Sequence, residues 1–179
     1  MASVSALIVL MLLYFIRAST VISSDTGMIP TGVTFYRLVS VTLVTLYLFL
    51  LTGSYLTRSG ASLACLGFPL CGSVSDAIRD LVNIHLIHRH SAFVAAAMLL
   101  SIAYVLANVY VNLEIRYFGH SIFVLLITQI VLGAANILLR IPMWSRILHL
   151  AVGVSLWACV EMLWMILTIG RSQQFKISK

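Results

Sequence analysis

The sequence predicts an all-α integral membrane protein, an antiparallel four-helix transmembrane bundle with a short additional helix at its N-terminus. Three observations carry that expectation. Hydrophobic residues make up 61% of the 179 residues and charged ones only 9%, against about 25% charged in an ordinary globular domain, and the mean hydropathy is +1.09. Four long apolar stretches follow one another, at about Val33 to Tyr55, Leu81 to Val111, Ser121 to Leu139 and Ile147 to Ile169, each long enough for the roughly 20 residues of a spanning helix. The later connections, Asn112 to Tyr117 and Arg140 to Arg146, are short, and short connections force antiparallel neighbours.

The chain accordingly divides into a short apolar segment and polar linker over 1–32, a bundle over 33–170 and a basic tail over 171–179. The first segment, about Val4 to Ile16, is followed by Arg17 and a polar stretch with Asp25, Gly27 and Pro30. No Lys or Arg precedes it, whereas a secretory signal normally opens on positive charge, so a short uncleaved span is the expectation. At this length one helical domain is expected, without a separate catalytic domain. Eleven Lys and Arg stand against five Asp and Glu, but they are scattered near the ends of apolar runs. That distribution suits helix-end anchoring in lipid and not a nucleic-acid surface.

Parity in an up-and-down bundle groups residues without any knowledge of which side is out. The end of the first long span, the start of the second, the end of the third and the start of the fourth share one membrane side. That side collects Arg58, Cys65, Cys71, His85, His88, Arg89, His90, Arg140, Arg146 and His149. The opposite side receives Glu114, Arg116, His120, Arg171, Lys176 and Lys179.

Histidine within a bilayer helix is costly and marks a functional candidate. His88 and His149 enter two different spans to similar shallow depth, and two such imidazoles are what a six-coordinate haem needs, one on each side of the ring. The competing account is that each simply hydrogen-bonds a neighbouring helix. At about 100° per residue, His85 shares a face with His88, while His90 points roughly opposite. Arg58, Arg89 and Arg140 lie near the same level, where they could match haem propionates bidentately or anchor lipid phosphates. Gln129, Gly133 and Asn136 fall on one face of the third long span, where the glycine would let a neighbour or a flat ligand approach closely; interhelical hydrogen bonding is the simpler account. Cys159 and Glu161 lie deep in the last span, the thiol as a packing residue and the carboxyl facing another helix.

The longest connection, roughly Thr57 to Arg79, is rich in Gly, Ser and Cys, and long loops in compact proteins are often functional. On an oxidising side Cys65 and Cys71 would form a disulfide; on a reducing side they would be free or metal-binding. Two thiols lack the usual four-ligand spacing of zinc.

The stretch Thr52-Gly53-Ser54-Tyr55-Leu56-Thr57-Arg58-Ser59-Gly60-Ala61-Ser62-Leu63-Ala64-Cys65-Leu66-Gly67-Phe68-Pro69-Leu70-Cys71 resembles the first-loop signature of the haem A synthases, approximately G-x-x-V-R-x-T-G-S-G-L-A-C-P-D-W-P-L-C. Ile84 to Ala92 resembles the family's helix motif ending in His-Arg, and Gln129 to Ala134 with Leu148-His149-Leu150 resembles its third and fourth helices. The resemblance covers about Val33 to Ile169, and the loop motif is its specific part. It implies His88 and His149 as axial ligands of haem b, Cys65 and Cys71 as a loop disulfide on the extracytoplasmic side of the cell membrane, and Arg58 as a residue near the haem edge. Most members are twice as long, two four-helix halves in one chain, one holding haem b and the other the substrate haem O. This chain resembles one half, a compact form that would oligomerise to set two haem sites side by side or would work with one.

One departure stands out. Where the substrate half of the family has Glu three residues before the His of His-Arg, this chain has His85, which becomes the candidate catalytic group unless Glu161 or another residue serves. The function implied is oxidation of the C8 methyl of haem O, by successive hydroxylation, to the formyl group of haem A. The expected partners are haem O, an electron donor that the sequence does not reveal, membrane lipid and, as a candidate, haem O synthase. A b-type cytochrome carrying electrons or haem would keep both histidines but need no Cys loop. A thiol-disulfide oxidoreductase would normally present a close C-x-x-C pair, which is absent.

Overall fold

In a computed structural model, residues 32–67, 71, 75–110 and 113–177 are described, the side chains of 114 and 172–177 excepted. The N-terminal apolar segment, the middle of the cysteine loop and the side chains of Glu114, Lys176 and Lys179 lie outside these described residues. Within them the chain is all-helical: α1 Val33–Arg58, α2 Arg79–Asn108, α3 Leu113–Leu138 and α4 Met143–Ile177, with short 3₁₀ turns at Ala61–Leu63 and Asp76–Ile78 between α1 and α2. All four helices are long and apolar enough to cross a membrane.

Three boundaries differ from the pattern of apolar residues, one of them the start of α4 at Met143, inside the expected connection. Helix α3 starts at Leu113, so residues expected in a connection form its first turn; Arg116 Nε donates to the Ala107 carbonyl at 3.1 Å, satisfying a group at the C-terminal end of α2 that its own helix leaves unpaired. Helix α4 runs on to Ile177 through residues expected in the tail, because helical hydrogen bonding does not stop where hydropathy falls. The α1 end matches a turn signal: Ser59 N–H donates to Tyr55 O and Gly60 follows with φ +77°, a left-handed position that glycine occupies without steric cost.

Each helix packs on its two neighbours, α1 on α2 and α4, α3 on α2 and α4. The four form a square, with α2 and α4 on one diagonal. The apolar core fills only one half of it. Val39 and Leu46 of α1, Leu99, Ile102 and Leu106 of α2, Ile122 and Leu126 of α3, and Leu156, Val160 and Leu167 of α4 are buried together. These lie in the first part of α1 and α3 and the later part of α2 and α4, away from the cysteine loop. At that end Trp164 Nε1 donates to Ser40 Oγ at 3.0 Å and the Arg171 guanidinium sits 4.6 Å from the Tyr36 ring centroid, an aromatic and cationic rim of the kind found at membrane interfaces. Most other large apolar side chains, among them Val44, Leu48, Phe93 and Val124, are exposed, which in a bilayer means lipid-facing.

Cys65 and Cys71 are joined in a disulfide with Cα atoms 4.8 Å apart, while Cys159 is free. Peptide mapping of protein isolated without reductant is expected to return a linked Cys65–Cys71 peptide and an alkylated Cys159. Both loop thiols alkylated in native membranes would remove the bridge.

Candidate functional site

The half of the bundle not filled by apolar core is the half that parity assigns to the histidines. His88 projects from α2 against α1, its ring stacked on Phe49 with centroids 4.6 Å apart and planes 7° apart. Its Nδ1 lies 3.0 Å from Thr52 Oγ1. A Cβ placed on Gly53 would meet His88 Cε1 at 3.1 Å and Nδ1 at 3.7 Å, with Nε2 farthest of the three at 3.9 Å.

His149 repeats the arrangement from the other hairpin. It projects from α4 against α3, where a Cβ on Gly133 would meet its Cε1 at 3.2 Å and Nδ1 at 3.7 Å. The Gln129 carboxamide Nε2 is 3.4 Å from His149 Nε2 and also 3.0 Å from where a Gly153 Cβ would stand. Each helical hairpin thus seats the Nδ1–Cε1 edge of a histidine from its second helix on a glycine of its first. The two imidazoles come from diagonally opposed helices.

Three buried polar atoms here have no hydrogen-bond partner: His149 Nδ1, Gln129 Oε1 and Asn136 Oδ1. Unpaired buried polar atoms cost free energy and concentrate where a ligand or water belongs. Among the described residues no group of three or more His, Cys, Asp or Glu could hold a metal ion. Two imidazoles at matched depth, each with a glycine-backed edge and both above the main apolar cluster, are a donor set that could hold a haem, which takes only its two axial ligands from the protein. A cleft of about 260 Å³ opens between α1 and α2 beside this level, lined by Leu51, Thr52, Tyr55, Ile84 and Ile87.

The other candidates fall into place around the pair. His85 is 4% exposed, and its Nδ1 lies 3.0 Å from the Ala61 carbonyl, to which it donates. Arg89 donates from Nη1 to Gly67 O at 2.8 Å and from Nη2 to Cys65 O at 2.9 Å. Both side chains therefore hold the cysteine loop down onto α2. Arg58 and Arg140 are exposed at the same end, and Arg140 and Ile141 both carry positive φ, 57° and 61°, strained for a β-branched residue and held by the Ile141 N–H bond to Asn136 O at 2.6 Å. His90 is exposed, as its helical phase predicts. Glu161 stands twelve residues along α4 from His149, about 18 Å at 1.5 Å per residue, beyond contact with the pair. Phe49, Thr52, Gly53 and Gly153 were not singled out by sequence as site residues; Thr52 and Gly53 do open the loop signature, the one signal that bore on them.

The family model described as cytochrome oxidase assembly protein, COX15-CtaA, matches residues 2–160. The chain belongs to that family. A haem A synthase of Shewanella oneidensis is 25% identical over 173 aligned residues, covering 80% of this chain and 49% of the relative. A haem A synthase of Shouchella clausii is 38% identical over 56 residues, 30% of this chain and 19% of the relative. The chain therefore spans about half the length of the first of these relatives. No solved structure matches it.

Proposed function

We propose that this chain is a haem A synthase, an oxidoreductase that converts the C8 methyl of haem O to the formyl group of haem A by successive hydroxylation. The observation that carries the reading is the pair of glycine-seated imidazoles, His88 and His149, set on the diagonal of a bundle whose packed core stops short of them. Family membership and the haem A synthase relatives support the same substrate class.

A haem held by the two histidines would supply the redox-active iron. The protein's own part is to orient it. Gly53 and Gly133 leave room for the imidazole edges, and the aliphatic core below the site closes it off from the far side of the membrane. His85 and Arg89 keep the disulfide loop folded against α2, closing the near side. His85 also occupies the position of the family's Glu and is the proposed proton-transfer group; its bond to Ala61 O uses Nδ1 and leaves Nε2 for that task. Arg58 and Arg140 are proposed to meet the haem propionates, while the Arg89 guanidinium is already engaged by loop carbonyls. A Cys65–Cys71 disulfide suits the extracytoplasmic side of a cell membrane. The proposed partners are a second copy of this chain, which would bring two haem sites side by side, together with the electron donor and haem O synthase.

Co-expression with a haem O synthase in a host lacking haem A tests the proposal. Extracted pigments should include haem A or its hydroxylated intermediate. Recovery of only haem O and haem b from folded, haem-loaded protein would favour the b-type cytochrome, which needs the same two ligands and no porphyrin chemistry.

A further inference from the structure

We propose that Thr52 is a positioning residue that fixes His88 in the tautomer whose Nε2 can bind iron, making His88 the pre-set and His149 the conditional member of the axial pair. The inference rests on the haem-binding reading above, and part of its test does not.

Thr52 departs from its neighbours in one respect. Thr42, Thr45 and Thr57 on the same helix each bond the carbonyl four residues back, the ordinary habit of a helical hydroxyl. Thr52 instead bonds the carbonyl three residues back, Phe49 O, at 2.8 Å, with its oxygen 3.0 Å from His88 Nδ1 on α2. A hydroxyl has one proton, and a carbonyl can only accept it. With that proton on Phe49 O, Thr52 Oγ1 has only lone pairs to offer, so the proton between Thr52 and His88 belongs to Nδ1. Neutral His88 then has a bare lone pair on Nε2, the nitrogen farthest from the Gly53 backing. Phe49 stacked at 4.6 Å on the ring and Gly53 at its edge hold the ring plane, so tautomer and orientation are set together.

His149 lacks this support. Its Nδ1 is buried without a partner, and its Nε2 faces the Gln129 carboxamide at 3.4 Å. Gln129 must withdraw before that nitrogen can coordinate. Histidine ligands generally donate their second N–H to an acceptor that fixes the tautomer and raises ligand basicity, and loss of the acceptor typically costs about 10–100-fold in metal affinity. Only His88 has one.

The test has two arms. In apo protein labelled with ¹⁵N-histidine, with signals assigned by difference against His88→Ala, His88 should carry its proton on Nδ1 and none on Nε2. In haem b titrations Thr52→Val should bind at least about tenfold more weakly and show a raised midpoint potential, by ~59 mV for each tenfold by which ferric binding weakens more than ferrous. Thr52→Ser should restore both. A proton on Nε2 in the wild-type apo protein overturns the proposal. So does an unchanged potential in Thr52→Val, or a Thr52→Ser variant that behaves like Val, which would make the methyl the important group. Should Thr52→Val fail to fold, the wild-type and Thr52→Ser spectra still decide. Wild-type protein that binds no haem would sink the functional reading, and the apo spectra would then judge Thr52 alone.

Discussion

The purified protein is expected to bind haem b in a six-coordinate, low-spin state, and His88→Ala and His149→Ala are each expected to abolish that spectrum and to weaken haem binding by more than about a hundredfold, since even loss of an outer partner costs about 10–100-fold. The size follows from the geometry. Each imidazole is seated on a glycine, and neither of the other histidines of α2 is placed to stand in: His90 is exposed, and His85, though buried, is bound to Ala61 O. His120→Ala is expected to leave the spectrum unchanged. His120 is exposed and lies thirteen residues along α3 from Gly133, about 20 Å at 1.5 Å per residue. Absorption spectra of the three variants at matched protein and haem concentration decide the matter. Loss of the low-spin bands in His120→Ala alone would overturn both the site and the antiparallel order on which it was placed.

The antiparallel order was legible because it needs only hydropathy and loop length. Four apolar runs and short connections place the end of α1, the start of α2, the end of α3 and the start of α4 on one side; the Gly53–His88 and Gly133–His149 contacts agree with that order within each hairpin, and the approach of Leu50 to Gly153 agrees with it between them. What the residue pattern does not contain is the rotation of each helix about its axis. His85 and His88 are near neighbours in helical phase, yet one bonds the Ala61 carbonyl of the loop and the other stacks on Phe49. That distinction is made by the path of the loop after Gly60, which brings Ala61 over the first turns of α2. Arg89 illustrates the same limit: its charge suggested a propionate partner, whereas the carbonyls of Cys65 and Gly67 take its guanidinium. The matching of Gly53 to His88 and of Gly133 to His149 was invisible as a repeat, because the spacings are 35 and 16 residues and the cysteine loop makes up the difference. The expected N-terminal span falls on residues outside those described.

That glycine match supplies a graded expectation. An added Cβ on Gly133 would stand 3.2 Å from His149 Cε1, and one on Gly53 would stand 3.1 Å from His88 Cε1. Both are tighter than ordinary van der Waals contact, and in each case the atom met belongs to a flat ring that cannot fold away. Gly53→Ala and Gly133→Ala should therefore displace the imidazole slightly and weaken haem binding a fewfold. Gly53→Val and Gly133→Val add two further methyl groups at the same edge. Overpacking of this kind costs about 1–3 kcal/mol, roughly a fivefold to hundredfold loss of affinity at 1.4 kcal/mol per tenfold, and should convert part of the spectrum to high-spin as one axial bond is lost. Gly153→Ala is the contrast: its Cβ would meet Gln129 Nε2 at 3.0 Å, the end of a flexible side chain that can swing aside, so haem affinity should hold or rise as Gln129 leaves His149 Nε2. Haem titrations across the five variants, with helical content checked by circular dichroism, measure the ordering. Valine at Gly53 or Gly133 that bound haem as tightly as the wild type would show that the imidazoles do not rest on these glycines when the ligand is bound.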